Sequence, residues 1–204
     1  MGSKLGTLFA RAGHEVTFSY SHSEQKLERL ARQAGHGARA GTPAEAAQAD
    51  AILLAIPWSR LVDVLSQTGD LSGKVIISCT LPMDEENDEL IIANDSSGAE
   101  ELARIMPAAR VVAAFGTVPS ECLFGVYAAR KRKKRPSLVY CGDDKGAKKV
   151  AAQLIKDVGF DPVDAGGLAM ARFTEPFTLL VAKLAYEGRK GPELAYRFEW
   201  FKDG

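Results

Sequence analysis

The sequence predicts an α/β protein built on a doubly wound, mainly parallel sheet. Three observations predict it. Helical and strand-like segments alternate almost from the first residue. The strand-like segments are separated by helical stretches of the length that right-handed crossovers need. Ala51 to Ile56 is a continuous apolar run, and Lys74 to Ser78 is a second strand of the same buried kind; such runs mark strands covered on both faces.

The elements follow in order. Leu5, Leu8, Phe9 and Ala12 recur at three- and four-residue spacing, one face of a helix. Gly13 ends it, as a glycine just past a helix does. Val16 to Tyr20 is rich in β-branched and aromatic residues and reads as a strand. Ser23 is a helix cap, and the helix to about Gln33 buries Leu27, Leu30 and Ala31. Thr42, Pro43 and Glu45 spell a capping box with proline at the first helical position. After the 51–56 strand, Pro57 breaks the chain. A helix over Ser59 to Ser66 is spaced to pack Leu61, Val62 and Leu65. Asp95, Ser96 or Ser97 caps a helix through Ile105. Strands follow at Arg110 to Ala114, Ser137 to Cys141 and Pro162 to Asp164, with a long helix over Asp144 to Val158. A last helix, Leu168 to about Tyr186, contains Pro176.

Composition bounds the function. The 204 residues carry 26 Lys plus Arg and 26 Asp plus Glu, for a formal net charge of zero. A balanced charge removes the global case for a nucleic-acid or anionic-membrane binder. No apolar run approaches the roughly 18 residues of a membrane span. Lys4 and Arg11 fall inside the first apolar segment, so no signal peptide is read there. Cys79, Cys122 and Cys141 are odd in number and scattered, as in a reducing compartment. The expected setting is cytoplasmic. His14, His22 and His36 form no ligand-spaced cluster, and no metal site is expected. Residues 83–103 hold eight acidic residues and no basic one, whereas Arg130 to Arg135 is unbroken basic sequence. Such a run reads as a solvated loop, with an anion site as the other reading. A nucleic-acid patch is disfavoured for want of interleaved aromatics.

The chain opens with a helix where a parallel α/β domain opens with a strand. Ala12-Gly13-His14-Glu15-Val16 is a Rossmann-type helix-to-strand junction. Gly2 then stands as the third, packing glycine of GxGxxG. The expectation is a Rossmann-like fold with the first strand and most of that loop missing. The ordered blocks Arg11 to Val16, Leu54 to Trp58, Ser97 to Ala103, Ala114 to Pro119 and Gly159 to Gly166 resemble the NADPH-dependent coenzyme F420 oxidoreductase family. Two departures stand out. Thr80-Leu81-Pro82 occupies the place where the family often has Asn-Pro, and Gly116 a place where Asn is common. The resemblance implies one α/β domain over 1–204, with a dinucleotide-binding part at 1–114. The remainder, 115–204, would extend the sheet and end in a helix. It also implies NADP as cofactor, coenzyme F420 as co-substrate, and a homodimer formed through the 169–186 helix. Phe173, Phe177, Leu180, Val181 and Leu184 make an apolar stripe suited to core packing or to such a contact.

Site residues follow from position and from the resemblance. Ligands of open α/β sheets bind outside the carboxyl ends of the strands. Gly2 and Ser3, at what is left of the glycine loop, are placed among the cofactor residues. Tyr20, Ser21 and His22 follow the second strand, with no carboxylate before Glu24; together with Lys26 they suit a ribose 2′-phosphate better than a 2′-hydroxyl. The same residues also read as a polar turn with a helix cap. Ile56, Pro57 and Trp58 would wall the nicotinamide ribose, although a turn that buries Trp58 fits the pattern too. Cys79, Thr80, Leu81 and Pro82 are placed in the same cofactor crevice, and Phe115, Gly116, Thr117 and Val118 at the substrate. No acid, base or nucleophile is singled out. Hydride transfer between two planar rings needs positioning and exclusion of water more than acid–base groups. The functions open at this point are an NADP-dependent oxidoreductase with a planar partner such as F420, a cofactor-crippled binding or structural dimer, and an NADP-linked reductase of a small metabolite or metal ion.

Overall fold

The computed structural model describes residues 1–21, 23–86 and 88–201. Among these residues, eight α-helices run over Gly2–Arg11 (α1), Glu24–Ala34 (α2), Pro43–Ala46 (α3), Leu61–Thr68 (α4), Gly98–Ile105 (α5), Leu123–Ala128 (α6), Lys145–Asp157 (α7) and Ala171–Tyr186 (α8). Seven strands run over Thr17–Phe18 (β1), Arg39–Ala40 (β2), Ala51–Leu54 (β3), Val75–Ser78 (β4), Arg110–Ala113 (β5), Ser137–Gly142 (β6) and Asp161–Asp164 (β7). Strands β3 to β7 form one five-stranded sheet in chain order, and β1 and β2 pair separately. All pairings are parallel except β5 with β6. The doubly wound, mainly parallel sheet of the sequence reading is present, its direction reversing between β5 and β6 so that β6 and β7 run opposite to β3–β5.

The apolar runs have the expected cause. Along β4, Val75 and Ile77 enter one core, while Ile76 enters the core on the opposite face. On β5, Val112 and Val111 divide in the same way. A strand with helices on both sides has no polar face to show, so alternation disappears. Helix α1 joins the two sheets. A Cβ on Gly6 would lie 2.3 Å from the Phe18 ring of β1, and one on Gly2 would lie 3.1 Å from the Ala55 side chain beyond β3. A small core of Ala10, Phe18, Ala31 and Ala34 closes the β1–α2 corner.

Several local readings change. Only Thr17 and Phe18 of the 16–20 segment pair, because Tyr20 turns away with φ 60°. Strand β2 carries no β-prone residues; its pairing with Thr17 and Phe18 makes it a strand. Strand β3 stops at Leu54, two residues before the predicted end. On α4 it is Val64, not Val62, that turns inward: Val62 is 77% exposed, while Leu61 and Val64 are buried. A one-turn 3-10 helix over Trp58–Arg60 shifts the phase of α4 relative to a helix begun at Ser59. The caps hold. Thr42 and Glu45 exchange hydrogen bonds with each other's backbone N–H, and Ser23, Ser97 and Asp144 each accept from a backbone N–H of the first turn.

Candidate functional site

The carboxyl ends of β3, β4 and β5 face one crevice, and its loops are tied to one another. The Leu54 carbonyl at the end of β3 accepts from the Cys79 N–H (3.0 Å) and from the Thr80 hydroxyl (3.2 Å). The Thr80 N–H donates to Ser78 Oγ at 3.2 Å. These bonds fix the turn after β4 against the end of β3. Trp58 is half-buried beside it, and Pro82 is buried. Both rings abut Gly98: a Cβ there would meet Pro82 Cδ at 2.8 Å and Trp58 Cζ3 at 3.3 Å. Trp58 thus packs against Gly98 while part of it stays exposed. Ile56 is half-buried and Pro57 exposed.

Two hollows flank this centre. A small cavity of about 20 Å³ lies under the turns after β4 and β5, lined by Cys79, Thr80, Leu81, Gly116, Thr117 and, from α8, Glu175. It brings together five of the predicted cofactor and substrate residues after β4 and β5 with a carboxylate that the sequence reading missed. Thr117 is fixed from behind, its Oγ1 accepting from the Tyr196 hydroxyl at 2.9 Å. The Phe115 and Val118 side chains do not line a substrate space: at 0% and 2% exposure they belong to the core, with Phe115 edge-on to Phe9. Phe115 holds φ 67°, a left-handed turn that points its ring inward while Gly116 stays at the surface of the crevice.

The larger hollow, about 960 Å³, lies between α2, α3 and α4 and is reached from Tyr20 and Ser21. Its size suits the adenosine half of a dinucleotide. Glu24, Glu28, Glu45 and Asp63 make it acid-rich, with Arg32 opposing them. Three of these carboxylates are already committed. Glu45 serves the Thr42 cap, Glu28 pairs with Arg32 at 3.4 Å, and Asp63 accepts from the Tyr20 hydroxyl at 2.5 Å. Ser19 Oγ, just after β1, is buried without a hydrogen-bond partner in the described structure. Lys26 is exposed on the first turn of α2 and is not among the residues lining this hollow. His22 lies outside the described residues. Gly2 sits against the end of β3 as a packing glycine should, and Ser3 is exposed beside it.

The electrostatics favour binding over covalent chemistry. Burial pushes the thiols of Cys79 and Cys141 up to about 12 and that of Cys122 up to about 11, so none is a thiolate near neutrality. Burial likewise raises Glu175 to about 7, against hydrogen bonds from the Gly98 and Ala99 N–H groups that pull it down; Glu100 nearby adds to the rise. Glu175 is 5% exposed. Its position on a helix with an apolar stripe gave the sequence little to separate it from a surface glutamate, although a lone acid beside Pro176 was a weak signal. Among the described residues no three His, Cys, Asp or Glu gather to hold a metal ion, and no helix is long and apolar enough to cross a membrane. The basic run is partly neutralised: Lys134 pairs with Glu199 at 3.1 Å and Arg135 with Asp161 at 2.6 Å, while Lys131 to Lys133 are exposed.

Comparison with known proteins agrees with this geometry. Residues 1–82 match the family model described as NADP oxidoreductase, coenzyme F420-dependent. The chain is 28% identical over 203 residues to the F420-dependent NADP reductase of Methanothermobacter marburgensis, covering 92% of this chain and 89% of that one. It is 29% identical over 130 residues to the metalloreductase STEAP3 of Rattus norvegicus, of which it spans 25%. A crystal structure from Arthrobacter sp. FB24, described as an F420-dependent NADP reductase, superposes with a TM-score of 0.83. At 22% identity, and with 98% of this chain and 95% of that one covered, that match shows a shared fold. The family resemblance read from the sequence is thus shown, and the Rossmann-like fold with it.

Proposed function

We propose, for a chain whose family resemblance is to the coenzyme F420-dependent NADP oxidoreductases, that it is an NADP-dependent oxidoreductase. In this reading it transfers a hydride between NADPH and a planar redox partner such as coenzyme F420. One observation carries it: the family-matched residues 1–82 converge with Gly116 and Thr117 on a single crevice at the carboxyl ends of β3, β4 and β5. When bound, the nicotinamide would supply the hydride chemistry. The chain's own residues would orient the ligand. The hollow at Tyr20 and Ser21 would take the adenosine end, with Ser21 and Lys26 toward the 2′-phosphate. Trp58 and Pro82 would wall the nicotinamide end, and Gly116, lacking a side chain, would leave room for a second ring. We read residues 1–204 as one working unit, because the crevice draws on the 1–114 part and on α8 alike. The free cysteines support a cytoplasmic setting.

We also infer a homodimer. Phe173, Leu180 and Leu184 on α8 are 67%, 54% and 60% exposed, more apolar surface than an isolated helix usually leaves to water. A second reading, reduction of a metal ion as substrate, is favoured by the match to the rat metalloreductase. Calorimetric titration of the purified chain with NADPH and NADH tests the first reading. Micromolar NADPH binding with much weaker NADH binding is expected, followed by turnover with F420 in an acceptor screen. A folded sample that binds neither nucleotide would sink the reading and move the chain to a non-catalytic binding role. Turnover with ferric or cupric ions in place of F420 would favour the second.

A further inference from the structure

We propose that Glu175 is a positioning residue of the crevice: its carboxylate holds Gly98 at the start of α5, and through Gly98 it fixes the Trp58 and Pro82 walls. The proposal rests on the reading of this crevice as a dinucleotide site. The contacts are direct. The Glu175 oxygens accept from the Gly98 N–H at 2.9 Å and from the Ala99 N–H at 3.0 Å. Gly98 in turn touches both walls, with no space for a Cβ between Pro82 and Trp58. One helical turn earlier on α8, Arg172 grips Glu100 of α5 through three hydrogen bonds of 2.7 to 3.2 Å. Helix α8 thus clamps the first turn of α5 at two points, and the inner point is a buried charge.

Capping alone does not require that charge. Ser97 already caps α5 by accepting from the Glu100 N–H, and the two remaining N–H groups both donate to this one carboxylate. The charge matters because of what its loss does. A protonated carboxyl turns one acceptor into a donor, so one of the two N–H groups loses its partner. The titratable and charged groups facing Glu175 are Glu100 on α5, Arg172 on its own helix, Cys79 after β4 and Cys141 on β6. Arg172 holds Glu100 below the usual carboxylate range, and both thiols stay protonated to about 12. Glu175, raised by burial to about 7, is the member of this set that changes charge near neutrality. Titration of Glu175 therefore changes the acceptor set that holds Gly98 and Ala99.

The test needs two readouts. In the 15N-labelled wild type, the Gly98 and Ala99 amides and the Trp58 indole N–H should titrate together between pH 5.5 and 8.5 with one midpoint. In Glu175→Gln none of the three should move. The wild-type NADPH Kd should change with pH through the same midpoint, and that of Glu175→Gln should not. The 2′-phosphate of NADPH titrates in the same range but equally for both proteins, so the difference between wild type and variant is what is read. Gly98→Ala should weaken NADPH at every pH while keeping the wild-type pH dependence. Flat amide shifts in the wild type, or a Glu175→Gln protein that keeps the wild-type pH dependence of NADPH affinity, would overturn the proposal. Coupled titration of the amides and the indole in a protein that binds no NADPH at any pH would uphold the positioning link and defeat the dinucleotide reading instead.

Discussion

Single residues carry more of this architecture than their chemistry suggests. Gly6 is a glycine for reasons of space, since a methyl group there would overlap the Phe18 ring. Gly6→Ala should therefore destabilise by about 1–3 kcal/mol, the usual cost of overpacking, and urea denaturation would measure it. A change below about 0.5 kcal/mol would mean that the ring relocates freely. Phe115 sets core packing against strain. Its left-handed φ costs on the order of 1–2 kcal/mol for a residue bearing a Cβ, yet its ring is fully buried against Phe9. Phe115→Ala keeps the strain and loses the packing, so a loss of about 3–5 kcal/mol is expected. The same experiment would show whether the turn that presents Gly116 survives, because Gly116 and Thr117 follow directly.

At the scale of elements, α1 and α8 are joined through Glu121, which lies in a one-turn 3-10 helix over Ser120–Cys122. Its carboxylate accepts from Lys4 at 3.2 Å and from the Tyr186 hydroxyl at 2.6 Å. Burial pushes Glu121 up, but hydrogen bonds from Tyr186, its own backbone N–H, Lys4 and Ser120 outweigh it and pull the group down to about 2. A depressed carboxylate contributes stability that is present above its ordinary value of 4.5 and is lost as pH falls toward about 2. Glu121→Gln should therefore lower the melting temperature at pH 6 and lower it much less at pH 3. Equal losses at both values would show that the ion pair contributes nothing. The α8–α5 clamp behaves in the same direction through Glu100, so acid should loosen both ends of α8 together.

Across the whole molecule, the exposed apolar side chains on α8 bear on assembly. The stripe seen in the sequence divides in the fold: Val181 is buried, Phe177 packs edge-on to Tyr196, and Phe173, Leu180 and Leu184 face outward. Sedimentation at micromolar concentration should give a dimer for the wild type. The double variant Leu180→Glu with Leu184→Glu should sediment as a folded monomer, because a charge at each position opposes desolvation of the contact. A wild-type monomer would refute the inferred assembly without touching the crevice.

What was legible in the sequence was whatever depends on neighbours along the chain. Periodicity marked the strands buried on both faces, Thr42 and Glu45 announced their capping box, and Gly13 ended α1. The order of short blocks carried the family resemblance and placed Tyr20, Trp58, Thr80 and Gly116 at strand ends. The fold class followed, since a parallel sheet leaves few topologies open. Contacts between distant segments were decided only by the tertiary structure. The pairing of Arg39 and Ala40 with β1, the inward turn of Phe115, and the phase of α4 that exposes Val62 each answer to partners far away in sequence. Glu175 is the extreme case. Seventy-seven residues separate it from Gly98, and no local pattern distinguishes a buried carboxylate on one helix from a solvated one. Its burial, its two N–H partners and its raised affinity for a proton arise only when α8 folds across the first turn of α5.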